Sequence, residues 1–281
     1  MRKSLIGIIL LSIVLVGVAV PICFSAQTNT TVITYGETTY NNQGYKSFVD
    51  NFFKSQSGLD PSGIQYKIIT AKEVNEVSST ITHKTYSSKD IYSCALVNLN
   101  EKGSIKVTVD TSKITTITPS MYISALKTAG VTQGHVYVTS PVPATGESAL
   151  AGIMNSYEVA TEVEIPDTVK EAANNEIYTQ AEIVENSNVS AEELSDLVDD
   201  VKETVKEENV TDHQTIVNII NNYTINYNIN ITNSDIENLA DSIEQIQNVQ
   251  GDINNYQAEV SDVLNNTDTD SVTGFIDGLF N

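Results

Sequence analysis

The chain has 281 residues, with 36 acidic side chains against 15 lysines and arginines, two cysteines and no tryptophan. A formal net charge of −21 excludes nucleic acid as a partner, because phosphates require a basic face. Two cysteines are too few for a disulfide framework, so packing has to hold the fold together.

The chain opens with Met1, Arg2 and Lys3, then an apolar run from Leu5 to Val20 closed by Pro21 and the small pair Ser25-Ala26. A basic head, an apolar middle and small residues at the end form the pattern of an export signal. Residues 1–26 are therefore expected to be a signal peptide cut after Ala26, or a retained anchor. From Ser4 to Cys23 the run reaches roughly 20 residues, about what a helix needs to cross a bilayer. In both cases Arg2 and Lys3 stay inside and the rest of the chain lies outside. Any membrane contact would be through this segment alone. Ile22 is too bulky for a lipid anchor on Cys23. The remainder, about 255 residues, suffices for one large domain or two small ones.

Charge divides the exported part. From Gln27 to Tyr157 nine acids face ten lysines, whereas from Glu158 to Asn281 there are 27 acids and three lysines. The split predicts an α/β region over 27–162, an acidic helical region over 163–264 and a loose tail over 265–281. Six Asn-x-Ser/Thr sequons, at Asn29, Asn188, Asn209, Asn222, Asn230 and Asn265, are what an Asn-, Ser- and Thr-rich chain contains by chance.

In the first region Tyr45, Phe48, Val49, Phe52 and Phe53 recur at helical spacing after Asn41-Asn42. Residues 64–70 alternate like a strand, and Thr70-Ala-Lys-Glu73 reads as a capping box. Residues 91–99, the turn Asn100-Glu-Lys-Gly103 and residues 104–110 predict a β-hairpin, with Cys94 as a small buried hydrophobe. Thr118-Pro119 starts a helix through Met121, Tyr122, Ala125 and Leu126 that Gly130 stops. Val136–Thr139 is the next strand, and Thr145 is placed to cap a helix carrying Leu150, Ile153, Met154 and Tyr157.

The acidic region reads as helices. One opens at Pro166 and reaches about Val184. A second follows Ser190, with Leu194, Leu197, Val198, Val201 and Val205 on one stripe. A third covers residues 215–222. Ile225, Tyr227, Ile229 and Ile231 then alternate strictly and predict a short strand. Two amphipathic helices follow, over 236–246 and 253–264. The whole predicts an α/β or α+β N-terminal region, a mixed sheet with helices on one or both faces, followed by an acidic, mainly α-helical C-terminal region.

Five segments carry a resemblance: Ile117-Thr-Pro-Ser-Met-Tyr122, Ala125-Leu-Lys-Thr-Ala-Gly-Val131, Pro141-Val-Pro-Ala-Thr-Gly146, Ser148-Ala-Leu-Ala-Gly152 and Tyr157-Glu158. Their order and spacing resemble the YpuA-like family of secreted proteins of unknown function, known from Firmicutes and some archaea. The likeness extends more weakly over residues 32–265. It implies an exported protein of about this length, and supplies no catalytic residue, substrate or cofactor.

Motifs with chemistry are few. His83, His135 and His213 stand far apart, without zinc-type spacing, and no GxSxG, GxxxxGK[ST] or GxGxxG occurs. Two patterns are candidates. At Thr145, Gly146 and Ser148 a helix start offers free N–H groups to an anion or a polar sugar group. Asn266, Asp268, Asp270 and Asp277 faintly follow a calcium loop, but Ser271 stands where the turn Gly belongs. Tyrosines are scattered along the sequence, so no aromatic sugar platform is evident. No metal or cofactor is implied. The expected function is a non-catalytic, cell-surface or secreted binding protein whose partner is envelope polymer or a surface protein. The alternative is an extracellular hydrolase acting through paired carboxylates, and a third reading is a sensor module on a retained anchor.

Overall fold

The computed structural model describes residues 30–81 and 85–279. Residues 1–26, where an export signal or anchor is expected, and His83 lie outside the described residues. No helix among them is long and apolar enough to cross a membrane.

Chain order in the first half is β1 (Thr31–Gly36), α1 (Glu37–Tyr40), α2 (Gln43–Ser57), β2 (Gln65–Ile69), α3 (Ala71–Ile81), β3 (Cys94–Asn98), β4 (Lys106–Val109), α4 (Pro119–Thr128), β5 (His135–Thr139) and α5 (Ser148–Thr161). Caps set the helix starts where polar side chains meet free N–H groups. The Asn42 side-chain Oδ1 accepts from the backbone N–H groups of Gly44 and Tyr45. Glu73 and Thr70 cap α3 reciprocally, and the Thr118 hydroxyl accepts from Met121 N–H.

The strands form one mixed sheet in the order β2-β1-β3-β5-β4. β1 is parallel to β2 and β4 to β5, while β3 is antiparallel to both β1 and β5. The predicted hairpin of β3 and β4 is not formed, because β5 lies between them. β3 is buried at all five positions, so it takes a neighbour on each side, whereas half-exposed β4 sits at the edge. The seven residues joining them bond elsewhere: Leu99 N–H donates to Thr30 and Ile105 N–H to Thr132. That link spans the roughly 10 Å of two strand spacings without strain.

Alternation along the strands gives the sheet two apolar faces. Ile33, Tyr35, Leu96 and Tyr137 meet Val49 and Phe53 of α2 on one face. Cys94 lies in the same cluster, fully buried, with its thiol pushed up to about 12 chiefly by burial. Val32, Ala95, Val97, Val136 and Val138 meet α4 and α5 on the other face. There Gly152 brings α5 close to β1: an added Cβ would lie 2.6 Å from Thr34 Oγ1.

The second half is helical: α6 (Asp167–Asn186), α7 (Ala191–Glu207), α8 (His213–Tyr227), α9 (Asn233–Asn248) and α10 (Gln250–Leu279). The stripe Leu194, Leu197, Val198, Val201 and Val205 is buried against Ile216 and Ile220 of α8 and Leu239 and Ile243 of α9. Burying each such side chain contributes about 1.5–3 kcal/mol. The same stripes tie the halves together. α6 packs Val169, Ala172, Ala173 and Ile177 into the sheet core, as do Ile246 of α9 and Ile253 and Tyr256 of α10.

Two local expectations are corrected. The predicted strand at Ile225–Ile231 is instead the end of α8 and the loop after it. Asp212 caps α8 through Thr215 N–H, Asn228 ends it at φ 55°, and Ile229 N–H closes back onto the Thr224 carbonyl. The helical stripe Ile216, Val217, Ile220 and Thr224 outweighs the alternation, leaving Ile225 76% exposed. Thr145 does not cap α5, which begins after Glu147 without a side-chain cap. Its carbonyl accepts Ile117 N–H. Gly146, at φ 116°, turns the chain so that its own carbonyl accepts Ala149 N–H and the Tyr122 hydroxyl.

Candidate functional site

An open groove of about 820 Å³ lies where α4 meets α7, α9 and α10. Its apolar floor is Ile105, Val205, Ile243, Ile246 and Ile253, and Lys127, Lys202 and Lys206 face Asp199, Asp200 and Glu203 along its sides. A concave apolar floor with a few fixed polar groups is the usual form of a binding site. Helix periodicity explains the arrangement. Asp199, Lys202, Glu203 and Lys206 fall on one side of α7, next to the buried stripe.

A polar lock lies under the groove. Glu176 of α6, 2% exposed, accepts from Ser124 and Thr128 of α4, each at 2.5 Å, and from Lys202 Nζ at 2.7 Å. Lys202 also donates to the Ser124 hydroxyl and carbonyl, at 2.9 and 3.3 Å. The Ser124 hydroxyl bonds Asp199 as well. A serine beside a lysine suggests a nucleophile with its base, but an ammonium has three donors and all three are engaged. Ser124 is also fully buried. The cluster joins α4, α6 and α7, and it presents no attacking group.

A second polar chain crosses the sheet edge. The His135 ring contacts Glu101 through Nδ1 and Thr108 through Nε2, both at 2.8 Å, and the Tyr137 hydroxyl donates to Glu101 at 2.9 Å. Burial opposes ionisation of Glu101, but the hydrogen bonds of His135 and Tyr137 outweigh it and hold the carboxyl below its usual range. The Tyr137 phenol is pushed up to about 12, first by burial and then by Glu101. The Tyr137 ring stacks on the imidazole at 4.1 Å. This chain anchors the 98–106 link to β5.

The tyrosines prove less scattered than their positions suggest. Tyr40 and Tyr66 lie 5.4 Å apart by ring centroids, with Tyr35 at 6.1 and 5.9 Å from them. Tyr66 is 48% exposed on edge strand β2. Beneath, Lys46 Nζ sits 4.5 Å over the Tyr35 ring and pairs with Asp50 at 2.8 Å. Parallel pairing of β1 with β2 makes this cluster, which sequence order hides.

Of the residues singled out from sequence, Thr145, Gly146 and Ser148 lie together before and at the first turn of α5. Gly146 is buried there, and an added Cβ would meet Ile114 at 2.7 Å and the Tyr122 hydroxyl at 2.8 Å. Asn266, Asp268, Asp270 and Asp277 fall on the backbone of α10, a helix rather than a loop, and their side chains lie outside the described residues. The groove escapes sequence reading because its walls come from helices far apart along the chain.

Residues 35–263 match the model of a family described as "Protein of unknown function (DUF1002)". Over 211 residues the chain is 30% identical to the uncharacterized protein YpuA of Bacillus subtilis (strain 168), covering 74% of this chain and 70% of that one. No solved structure matches.

Proposed function

We propose, for a chain that belongs to the DUF1002 family of unknown function, an exported binding protein of the cell surface that holds its partner in the groove between α4, α7, α9 and α10. The observation that carries this reading is the 820 Å³ groove, with its apolar floor and both signs of charge along its sides. Such a lining suits an extended stretch of envelope polymer or surface protein that presents apolar and charged groups in turn. Export rests on the basic head and apolar run of residues 1–26. Glu176 and Asp199 do converge on Ser124, but Glu176 is buried and ion-paired, so the pair gives a hydrolase no acid to offer a polymer. The test is co-sedimentation of the purified protein with isolated cell envelopes. The double variant Lys127→Glu/Lys206→Glu should lose binding while keeping its thermal midpoint. Absence of wild-type binding, or equal binding by the variant, would sink the reading.

A second reading places sugar rings on the tyrosine cluster, favoured by the exposed Tyr66 beside Tyr40. Tyr66→Ala would then weaken retention on immobilised envelope glycan.

A further inference from the structure

We propose that His213, Asp241 and Glu244 form a binding site for a divalent transition-metal ion, zinc being the best matched, that clamps the start of α8 onto α9. The imidazole Nδ1 lies 2.9 Å from Glu244 Oε2 and 3.5 Å from Asp241 Oδ1, and the three ligand atoms all lie within 4.8 Å of one another. Ligands at about 2.0–2.1 Å around a tetrahedral zinc stand about 3.3 Å apart. Changes in ligand spacing of a few tenths of an ångström to about 1.5 Å would therefore close the sphere. Helix geometry supplies two of the ligands, because Asp241 and Glu244, three apart on α9, project from one face. Their exposure leaves the fourth position to water.

The group is more than a patch of acids. Its third ligand is an imidazole delivered by another helix, and its other nitrogen is separately held. Nε2 meets Glu237 Oε2 at 2.9 Å. A carboxylate on the far nitrogen keeps the proton there and turns the free lone pair of Nδ1 toward the metal, the outer arrangement usual for metal-binding histidines. One nitrogen and a small number of oxygens suit zinc better than calcium, which takes six to eight oxygens. Charge agrees: three carboxylates surround one imidazole, and Asp212 caps the same helix start. The helix N-terminus opposes a cation, but it acts as only about half a charge.

The experiment is calorimetric titration of the chelator-treated full chain with zinc chloride, alongside His213→Ala, Glu244→Gln and the control Glu208→Gln. Circular dichroism would check that each variant is folded. The expected result is one saturable zinc site that either cluster variant weakens at least tenfold and the control leaves unchanged. Cobalt in the same site should give the visible absorption of a tetrahedral complex. No saturable zinc binding would overturn the proposal, as would affinity unaltered in both cluster variants.

Discussion

Lys202 of α7 places its ammonium 2.7 Å from the Glu176 carboxylate of α6, in a contact where Glu176 is 2% exposed. Because Ser124 and Thr128 of α4 bond the same carboxylate, one buried pair fastens three helices and both halves of the chain. Removing one partner strands the other charge. Lys202→Ala should therefore cost about 3–5 kcal/mol, measured by urea unfolding. The double variant Lys202→Met/Glu176→Gln should cost clearly less than the two single changes added together. Strict additivity would show that the two groups do not act as a pair.

Gly146 is held by conformation and space. Its φ of 116° and the 2.7 Å approach of Ile114 to an added Cβ both penalise a side chain. Gly146→Val should lose at least about 2 kcal/mol of stability, from backbone strain and overpacking together. Thr145→Ala, whose hydroxyl is not used as the α5 cap, should stay within about 0.5 kcal/mol. Thermal melts of both variants check this, and a large loss from Thr145→Ala would mean that the hydroxyl has a structural role.

Features set within a turn or two were legible from sequence. Thr118-Pro119, Thr70 with Glu73, Ser190 and the Leu194–Val205 stripe need only neighbouring residues, and each sits where it was expected. Position in the sheet was not legible. Nothing local to β3 and β4 reveals that β5 will insert between them, since the deciding fact is that β3 is buried on both faces. Ile225–Ile231 shows the opposite failure. Its alternation was real, but the Asp212 cap and an upstream helical stripe outweighed it. The candidate sites were hidden by distance along the chain. Tyr35 meets Tyr66 through strand pairing, and His213 meets Glu244 through helix packing.

α5 can approach β1 only because position 152 lacks a side chain. Gly152→Ala puts a methyl 2.6 Å from Thr34 Oγ1 and 3.3 Å from Ile69. The expected cost is about 1–3 kcal/mol, the usual penalty for overfilling a packed core. Adding Thr34→Ala removes the nearest obstructing atom, so the double variant should recover part of that loss. A double-mutant cycle by chemical denaturation reads the coupling directly. Zero coupling would mean that the helix moves away instead of pressing on Thr34.

His213 should give the metal-free protein a pH dependence whose sign follows from its carboxylate neighbours. Glu237 first and Glu244 next, with Asp241 assisting, hold the imidazolium above the ordinary value of 6.5. Asp212, at the start of the same helix, adds to the negative surroundings. The folded state therefore favours the protonated ring. The contribution is complete below the unfolded value, about 6.5, and is lost as pH rises through the raised folded value. Thermal midpoints of wild type and His213→Gln, taken in chelator from about pH 5 to 9, should differ most at the acidic end and converge at the alkaline end. A difference independent of pH would mean that the ring is held by packing and not by its charge. Zinc should reverse the trend, because the ion takes the Nδ1 lone pair only once the proton has left, so its stabilising effect grows with pH over the range where the proton's effect fades.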